Sequence, residues 1–84
     1  MDTDEVARLS VAFGRAIKIR RVEMGFNQEE LADRAKMARS FVSGVERGAT
    51  KATVTSVWRL AQALECKPSD LWLRAEEIYW RDSI

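Results

Sequence analysis

The chain has 84 residues, of which 46% are hydrophobic and 32% charged, and this composition predicts one small folded domain over residues 1–84. No apolar run approaches the roughly 18 residues that a membrane span needs, and the acidic N-terminus is unlike a signal peptide, so we expect a cytoplasmic protein. A single cysteine excludes an internal disulfide, and a chain without histidine is a poor candidate for a metal site.

The net charge of +1 conceals an uneven distribution of charge along the chain. Residues 34–59 carry six Lys and Arg against one Asp or Glu, whereas the segments on both sides carry more acidic than basic residues. A positive segment between acidic ones suits a surface that faces phosphate groups, although an ordinary solvated face gives the same count. The charge pattern by itself therefore leaves nucleic-acid binding open.

The first predicted element is an amphipathic helix near the N-terminus. Apolar residues from Val6 to Met24 recur at three- and four-residue steps, which is the spacing of one helix face. Either Thr3 or Asp4 can cap the start of this helix, and Gly25 stands where a glycine commonly ends one.

The second and third helices are predicted to be short and close together. Asn27 can cap a helix over residues 28–35, and Glu30 stands at the position that completes a capping box. Only three residues separate this helix from a third one, which is predicted to begin near Arg39. Two short helices joined in this way form a helix-turn-helix.

The third predicted helix has one face without apolar side chains. Val42 and Val45 point to the other side of the helix. The non-apolar face consists of Arg39, Ser40, Ser43, Gly44 and Arg47. Exposed helix faces usually carry strong helix formers, and an interior Gly costs about 0.5–1 kcal/mol relative to Ala. This composition favours close approach to a partner over helix stability.

Two more helices complete the predicted fold. Gly48 ends the third helix, and Thr53 can cap a fourth helix that runs to about Leu64. The sequence KPSDL then begins a fifth helix, with Pro68 near its first turn. Five helix signals and no strand signal predict an all-α fold.

The segment from Ile17 to Trp72 resembles the lambda-repressor-like helix-turn-helix DNA-binding domains. The resemblance lies in the stretches GFNQEELA, RSFVSGVERG and RLAQALECKPSDLW. Within that family the likeness is greatest to the controller proteins of restriction-modification systems. It implies a compact five-helix domain whose third helix enters the major groove while the second crosses the DNA backbone. The expected partners are a double-stranded DNA operator, a second copy of the chain and RNA polymerase, and no cofactor, metal or membrane is expected.

Four positions depart from the pattern of that family. Lys36 and Glu65 stand where family members often have glycine, and Ala38 stands where the recognition helix usually has a capping Ser or Thr. Thr50 replaces an arginine that some controller proteins have. A missing cap at Ala38 is expected to weaken the start of the third helix by roughly 1 kcal/mol.

The resemblance implies a role for individual side chains. Arg39 is expected to be the principal base reader, because a guanidinium can donate two hydrogen bonds to guanine O6 and N7. The implied base contacts are Arg39, Ser40, Phe41, Ser43 and Gly44, and the implied phosphate contacts are Gln28, Arg47, Thr50 and Lys51. Gly44 would let the helix sit deep in the groove, or else tolerate a crowded helix crossing. Phe41 would touch a thymine methyl group or the sugar-phosphate wall, or else pack on the turn before the helix.

The resemblance also implies a structural ion pair between Arg21 and Glu46, which fixes the first helix against the third. Glu46 is the one acidic residue of the positive segment.

The C-terminal helix carries more apolar and aromatic surface than a small domain can bury. We therefore expect a homodimer built on the fourth and fifth helices, because paired recognition helices bind half-sites about 34 Å apart. The predicted interface residues are Trp58, Leu71, Trp72, Ala75, Ile78, Tyr79 and Trp80. For Trp58 and Trp72 the alternative is that they complete the core of a single chain.

These features predict a sequence-specific transcriptional regulator, most like a restriction-modification controller that binds its own promoter. A phage-type repressor and an antitoxin are alternatives within DNA binding, and a protein-interaction module is an alternative from another class. An enzyme is not expected, because the chain has no histidine, no phosphate-cradling glycine loop and no paired nucleophile and base. No catalytic residue is therefore predicted.

Overall fold

The computed structural model describes residues 1–82 and contains, within that range, five helices and no strand. The helices are α1 (Thr3–Glu23), α2 (Gln28–Ala35), α3 (Arg39–Glu46), α4 (Val54–Ala63) and α5 (Pro68–Asp82). The two long helices, α1 and α5, pack along each other, while α3 contacts both α1 and α2. The predicted all-α fold is confirmed.

Capping boxes fix where α2 and α4 begin. The Asn27 side chain accepts a hydrogen bond from the Glu30 N–H at 2.8 Å, and the Glu30 carboxylate accepts one from the Asn27 N–H at 3.0 Å. Thr53 and Ser56 exchange the same two bonds at the start of α4. These bonds satisfy amide groups that have no partner inside the helix, so both predicted starts are confirmed.

The cap of α1 lies one residue before Thr3 and two before Asp4, the two predicted caps. Asp2 has an extended backbone and its carboxylate accepts a hydrogen bond from the Glu5 N–H at 2.8 Å, so Asp2 is the cap. Thr3 and Asp4 are already helical. Asp4 and Glu5 instead place negative charge in the first turn, where it interacts favourably with the helix dipole.

A residue with a left-handed backbone follows each of the four helices α1 to α4. Gly25, after α1, and Gly48, after α3, have φ values of 78° and 74°, as predicted for helix-ending glycines. Lys36, after α2, and Glu65, after α4, have φ values of 56° and 55° although both carry a side chain. Family members often have glycine at these two positions. The chain adopts the left-handed conformation there although a residue with a Cβ atom is less stable in it than glycine.

The core lies at the junction of all five helices. Its largest fully buried side chains are Ile17, Val42, Leu31, Leu60 and Leu64. They come from α1, α2, α3 and α4, including the residue directly after α4. The periodic apolar positions of the sequence therefore converge on one cluster.

One face of α5 completes this core. Leu71, Ala75 and Ile78 are 2%, 0% and 3% exposed, because α5 lies along α1. A single chain thus covers these three side chains and leaves them no surface for a second chain. Their assignment to a dimer interface is corrected accordingly.

A glycine that the sequence analysis did not single out allows α1 and α3 to approach closely. A Cβ atom on Gly14 would lie 2.6 Å from the Glu46 carbonyl oxygen and 2.9 Å from its carbonyl carbon. The backbones therefore meet directly, and this contact brings the end of α3 beside α1.

Candidate nucleic-acid interface

The helix α3 buries one face and exposes the other. Val42 and Val45 are 0% and 2% exposed and anchor α3 in the core. Arg39 and Ser40, at the start of the helix, are exposed, and Ser43, one turn further on, is partly exposed. The predicted polar face of these three side chains therefore lies at the surface, with the guanidinium at the first helical position.

The Phe41 side chain is partly buried against the core and partly exposed at the surface. It is partly buried and packs against the core, as Met37 in the preceding turn does. The remaining part of the ring lies at the surface beside the polar face. Only this part of Phe41 is accessible to a partner.

Gly44 does not belong to the exposed face, which corrects its predicted contact with bases. It is buried, and a Cβ atom there would overlap the Thr50 hydroxyl and lie 3.0 Å from the Thr50 Cβ. The Gly44 carbonyl also accepts hydrogen bonds from the Ala49 and Thr50 N–H groups at 2.9 and 3.1 Å. The glycine therefore lets the loop after α3 fold back onto the helix. The alternative prediction, that Gly44 tolerates a crowded helix crossing, is closer to this result, but the segment that crowds Gly44 is the loop after α3 and not another helix.

The surface of residues 34–59 is more positive than the sequence count suggests. All six basic residues of this segment are exposed, namely Arg34, Lys36, Arg39, Arg47, Lys51 and Arg59. The one acidic residue, Glu46, is 8% exposed and has a basic partner outside the segment. Of the predicted phosphate contacts, Arg47 and Lys51 lie on this surface, whereas Thr50 is partly buried against Gly44.

The predicted ion pair between Arg21 and Glu46 is present and largely buried. The Arg21 Nε and Nη2 atoms donate to the two carboxylate oxygens at 2.6 and 3.0 Å. Arg21 Nη1 also donates to the Phe26 carbonyl at 2.8 Å. The two side chains are 11% and 3% exposed, so both charges are paired and hydrogen-bonded where solvent reaches them little.

Gln28 joins this ion pair through a bond that the sequence analysis missed. Its Nε2 donates to the Glu46 Oε1 at 3.1 Å, so α1, α2 and α3 meet at one carboxylate. The predicted phosphate contact on α2 is thus attached to the helix that carries the predicted base contacts. The 18-residue spacing between Gln28 and Glu46 gives no local signal for such a bond.

Three tryptophans form exposed apolar surface on α4 and α5. Trp58, Trp72 and Trp80 are 57%, 43% and 65% exposed. Trp72 also packs on Phe13, with ring centroids 4.8 Å apart, and Trp80 meets Tyr79 edge-on at 4.9 Å. Trp72 is therefore partly a core residue, whereas Trp58 and Trp80 expose most of their surface.

Residues 1–82 also bear on three other kinds of site, namely a metal site, a membrane-spanning helix and a reactive thiol. That range contains no group of His, Cys, Asp and Glu side chains that could hold a metal ion. None of its helices is long and apolar enough to cross a membrane. Cys66 is half-buried against the core, and burial raises the pKa of its thiol above the usual range.

Comparison with known proteins places this geometry in a family. Residues 17–71 match the helix-turn-helix family profile. The competence pilus inhibition repressor of Acinetobacter baylyi is 32% identical over 65 residues, which are 77% of this chain and 59% of that protein. This chain thus matches little more than half the length of that relative.

Two solved structures of restriction-modification controller proteins are also similar. The controller protein C.AhdI from Aeromonas hydrophila is 37% identical with a TM-score of 0.73, over 74% of this chain and 94% of that one. The tetramer of C.Esp1396I in complex with its natural 35-base-pair operator gives 26% identity and a TM-score of 0.78, over 86% and 95%. The chain therefore belongs to the lambda-repressor-like helix-turn-helix family of DNA-binding regulators.

Proposed function

We propose that the chain is a homodimeric, sequence-specific transcriptional regulator that controls a restriction-modification system. The observation that carries this proposal is the exposed polar face of α3, which presents Arg39 at the first helical position within an exposed basic surface. The likeness to C.AhdI over nearly all of that protein supports the restriction-modification context. The operator complex of C.Esp1396I supports DNA as the partner.

In this proposal the side chains of α3 read bases and the neighbouring residues bind phosphates. Arg39 donates two hydrogen bonds to a guanine, and Ser40 and Ser43 add shorter contacts. Arg47 and Lys51 neutralise phosphates, so the logarithm of affinity falls with the logarithm of salt concentration. A protein-interaction module would not bind DNA with this salt dependence.

The test measures binding to DNA by fluorescence anisotropy. An operator is first selected from random double-stranded DNA with the purified chain, and a duplex of unrelated sequence serves for comparison. Arg39→Ala should lower the affinity for the selected operator by about 1–3 kcal/mol and lower the affinity for unrelated DNA by less. Equal losses on both duplexes would show that Arg39 contacts only phosphate, and failure of the unchanged chain to select any sequence would overturn the proposal.

Arg74→Ala is the matched control for Arg39→Ala. Arg74 lies on α5 and pairs with Glu23 at the surface, with 3.2 Å between its Nη1 and a Glu23 carboxylate oxygen. This variant removes the same charged group from a helix on which no DNA contact is proposed. It should leave the preference for the operator over unrelated DNA unchanged.

A repressor acting outside restriction-modification is the second candidate. The 32% identity to a competence pilus inhibition repressor favours it. The selected operator distinguishes the two, because a restriction-modification controller is expected to bind its own promoter. Operator copies only at unrelated promoters would favour the second candidate.

A further inference from the structure

We infer that Glu46 is a positioning residue for DNA binding, which holds the Gln28 carboxamide so that its second N–H can bond a phosphate. This inference rests on the proposed function, because it concerns how the chain holds a phosphate contact. It assigns Glu46 a role beyond the ion pair with Arg21.

Hydrogen-bond chemistry fixes which end of the amide faces Glu46. The Glu46 carboxylate takes three bonds, two from Arg21 and one from the Gln28 Nε2. An ionised carboxylate only accepts hydrogen bonds, so it selects the NH₂ end of the carboxamide rather than its oxygen. The amide is thereby prevented from turning its NH₂ group away.

The second N–H of Gln28 is the group that suits a phosphate. A phosphodiester carries no proton at neutral pH and accepts hydrogen bonds without donating any, so the amide oxygen cannot bond it. Among residues 1–82 this second N–H makes no hydrogen bond, and Gln28 is partly exposed at the start of α2. A freely rotating amide would present its oxygen to the phosphate part of the time.

Arg21 makes this arrangement compatible with a nearby phosphate. A lone carboxylate one hydrogen bond away from the contact would repel the anion, because solvent screens it little at 3% exposure. The Arg21 guanidinium compensates that charge through its two bonds to the carboxylate. The carboxylate can therefore orient Gln28 without opposing the phosphate.

The first test observes the amide directly by NMR on the unchanged chain. Gln62, the other glutamine, is exposed on α4 and is the internal control. In the free protein the Gln28 proton that is bonded to Glu46 should exchange with solvent at least threefold more slowly than the NH₂ protons of Gln62. Addition of operator should shift the Gln28 signals and leave those of Gln62 in place. Equal exchange of the two amides, or no shift of Gln28 with DNA bound, would overturn the inference.

The second test is a double-mutant cycle between Gln28→Ala and Glu46→Gln, with affinity for operator and for unrelated DNA as the readout. Gln28→Ala should weaken binding to both duplexes about three- to tenfold, as loss of one hydrogen bond predicts. It should leave the salt dependence unchanged, because a neutral amide releases no counterion. In the Glu46→Gln background the same substitution should weaken binding by less than about twofold, because the new carboxamide can donate as well as accept and no longer selects the NH₂ end of Gln28.

Two outcomes separate a positioning role from a purely structural one. If the effect of Gln28→Ala is the same in both backgrounds, with folding verified by circular dichroism, Glu46 acts on the fold alone and the inference is wrong. Glu46→Gln breaks a buried ion pair, and if it fails to fold, the NMR test on the unchanged chain decides. Failure of the unchanged chain to bind any DNA would overturn the proposed function, whereas DNA binding without this coupling would overturn only the role of Glu46.

Discussion

Two glycines inside helices, Gly14 and Gly44, have no Cβ atom and therefore allow different neighbours to approach the helix backbone closely. At Gly14 a Cβ would meet backbone atoms of α3, whereas at Gly44 it would meet the side chain of Thr50. The sequence indicates that an interior glycine is unfavourable for a helix but does not say what approaches it. The exposed polar residues beside Gly44 suggested a DNA groove, and the loop after α3 occupies that place instead.

Gly44→Ala is expected to destabilise the fold. Alanine improves helix propensity by about 0.5–1 kcal/mol, but overlap with Thr50 costs about 1–3 kcal/mol, so the net loss is about 1 kcal/mol. Thermal unfolding measures the change. Adding Thr50→Ala removes the overlapping hydroxyl and should restore part of the stability. A gain in stability from Gly44→Ala alone would show that the loop moves aside at little cost.

Gly14→Ala is expected to be worse and not to be rescued in this way. Its added methyl group would meet the carbonyl groups of Val45 and Glu46, which no side-chain substitution removes. We expect a loss of about 3 kcal/mol by urea unfolding, at the upper end of the range for overpacked sites. A loss no larger than that of Gly44→Ala would mean that the crossing of α1 and α3 adjusts easily.

At the scale of the elements, local chemistry determines most helix boundaries, and this is why the sequence predicts them. The capping box at Asn27 and the glycine at position 25 act within a few residues of where they stand. The cap of α1 was misplaced because Asp2, Thr3 and Asp4 are all good caps and adjacent in sequence. Bonds between distant residues, such as the one from Gln28 to Glu46, leave no comparable trace.

The start of α3 offers a direct test of a missing cap. Ala38 has the extended backbone of a capping residue, with φ −71° and ψ 142°, but its methyl group accepts no hydrogen bond. Ala38→Ser should raise the free energy of unfolding by about 1 kcal/mol, because the hydroxyl can accept from an amide of the first turn. Ala38→Val, which cannot cap, should bring no such gain in thermal unfolding.

The turn between α2 and α3 offers a second test at this scale. Lys36→Gly should stabilise the fold by about 0.5–1 kcal/mol, because glycine adopts the left-handed conformation without the steric penalty of a Cβ. Lys36→Ala removes the same charge and keeps the Cβ, so it should change stability little. Equal stabilisation by both variants would trace the effect to charge rather than to the backbone.

At the scale of the whole molecule, the position of α1 decides which apolar residues of α5 are buried. The sequence shows an apolar stripe on α5 but not which part of it another helix covers. Packing on α1 takes Leu71, Ala75 and Ile78 into the core and leaves Trp72 and Trp80 at the surface. The expected interface is thus reduced to partly exposed aromatic residues, a type enriched in protein interfaces.

The homodimer proposal is tested by placing charge on this remaining surface. Trp58→Glu and Trp80→Glu are better tests than a change at Trp72, which also packs on Phe13, because both side chains are more than half exposed. In sedimentation equilibrium the unchanged chain should have the mass of two chains, and each variant should shift toward one chain while its thermal stability stays similar.

Val22→Glu is the matched control, because Val22 is 60% exposed on α1, outside the proposed interface. It should sediment like the unchanged chain. Since a two-fold dimer presents two copies of α3 to one operator, the monomeric variants should lose tight binding to paired half-sites. They should keep most of the weaker binding to a single half-site, which each α3 contacts alone. An unchanged chain that stays monomeric at concentrations that saturate the operator would contradict the dimer, and Trp58 and Trp80 would then be free to hold a different partner.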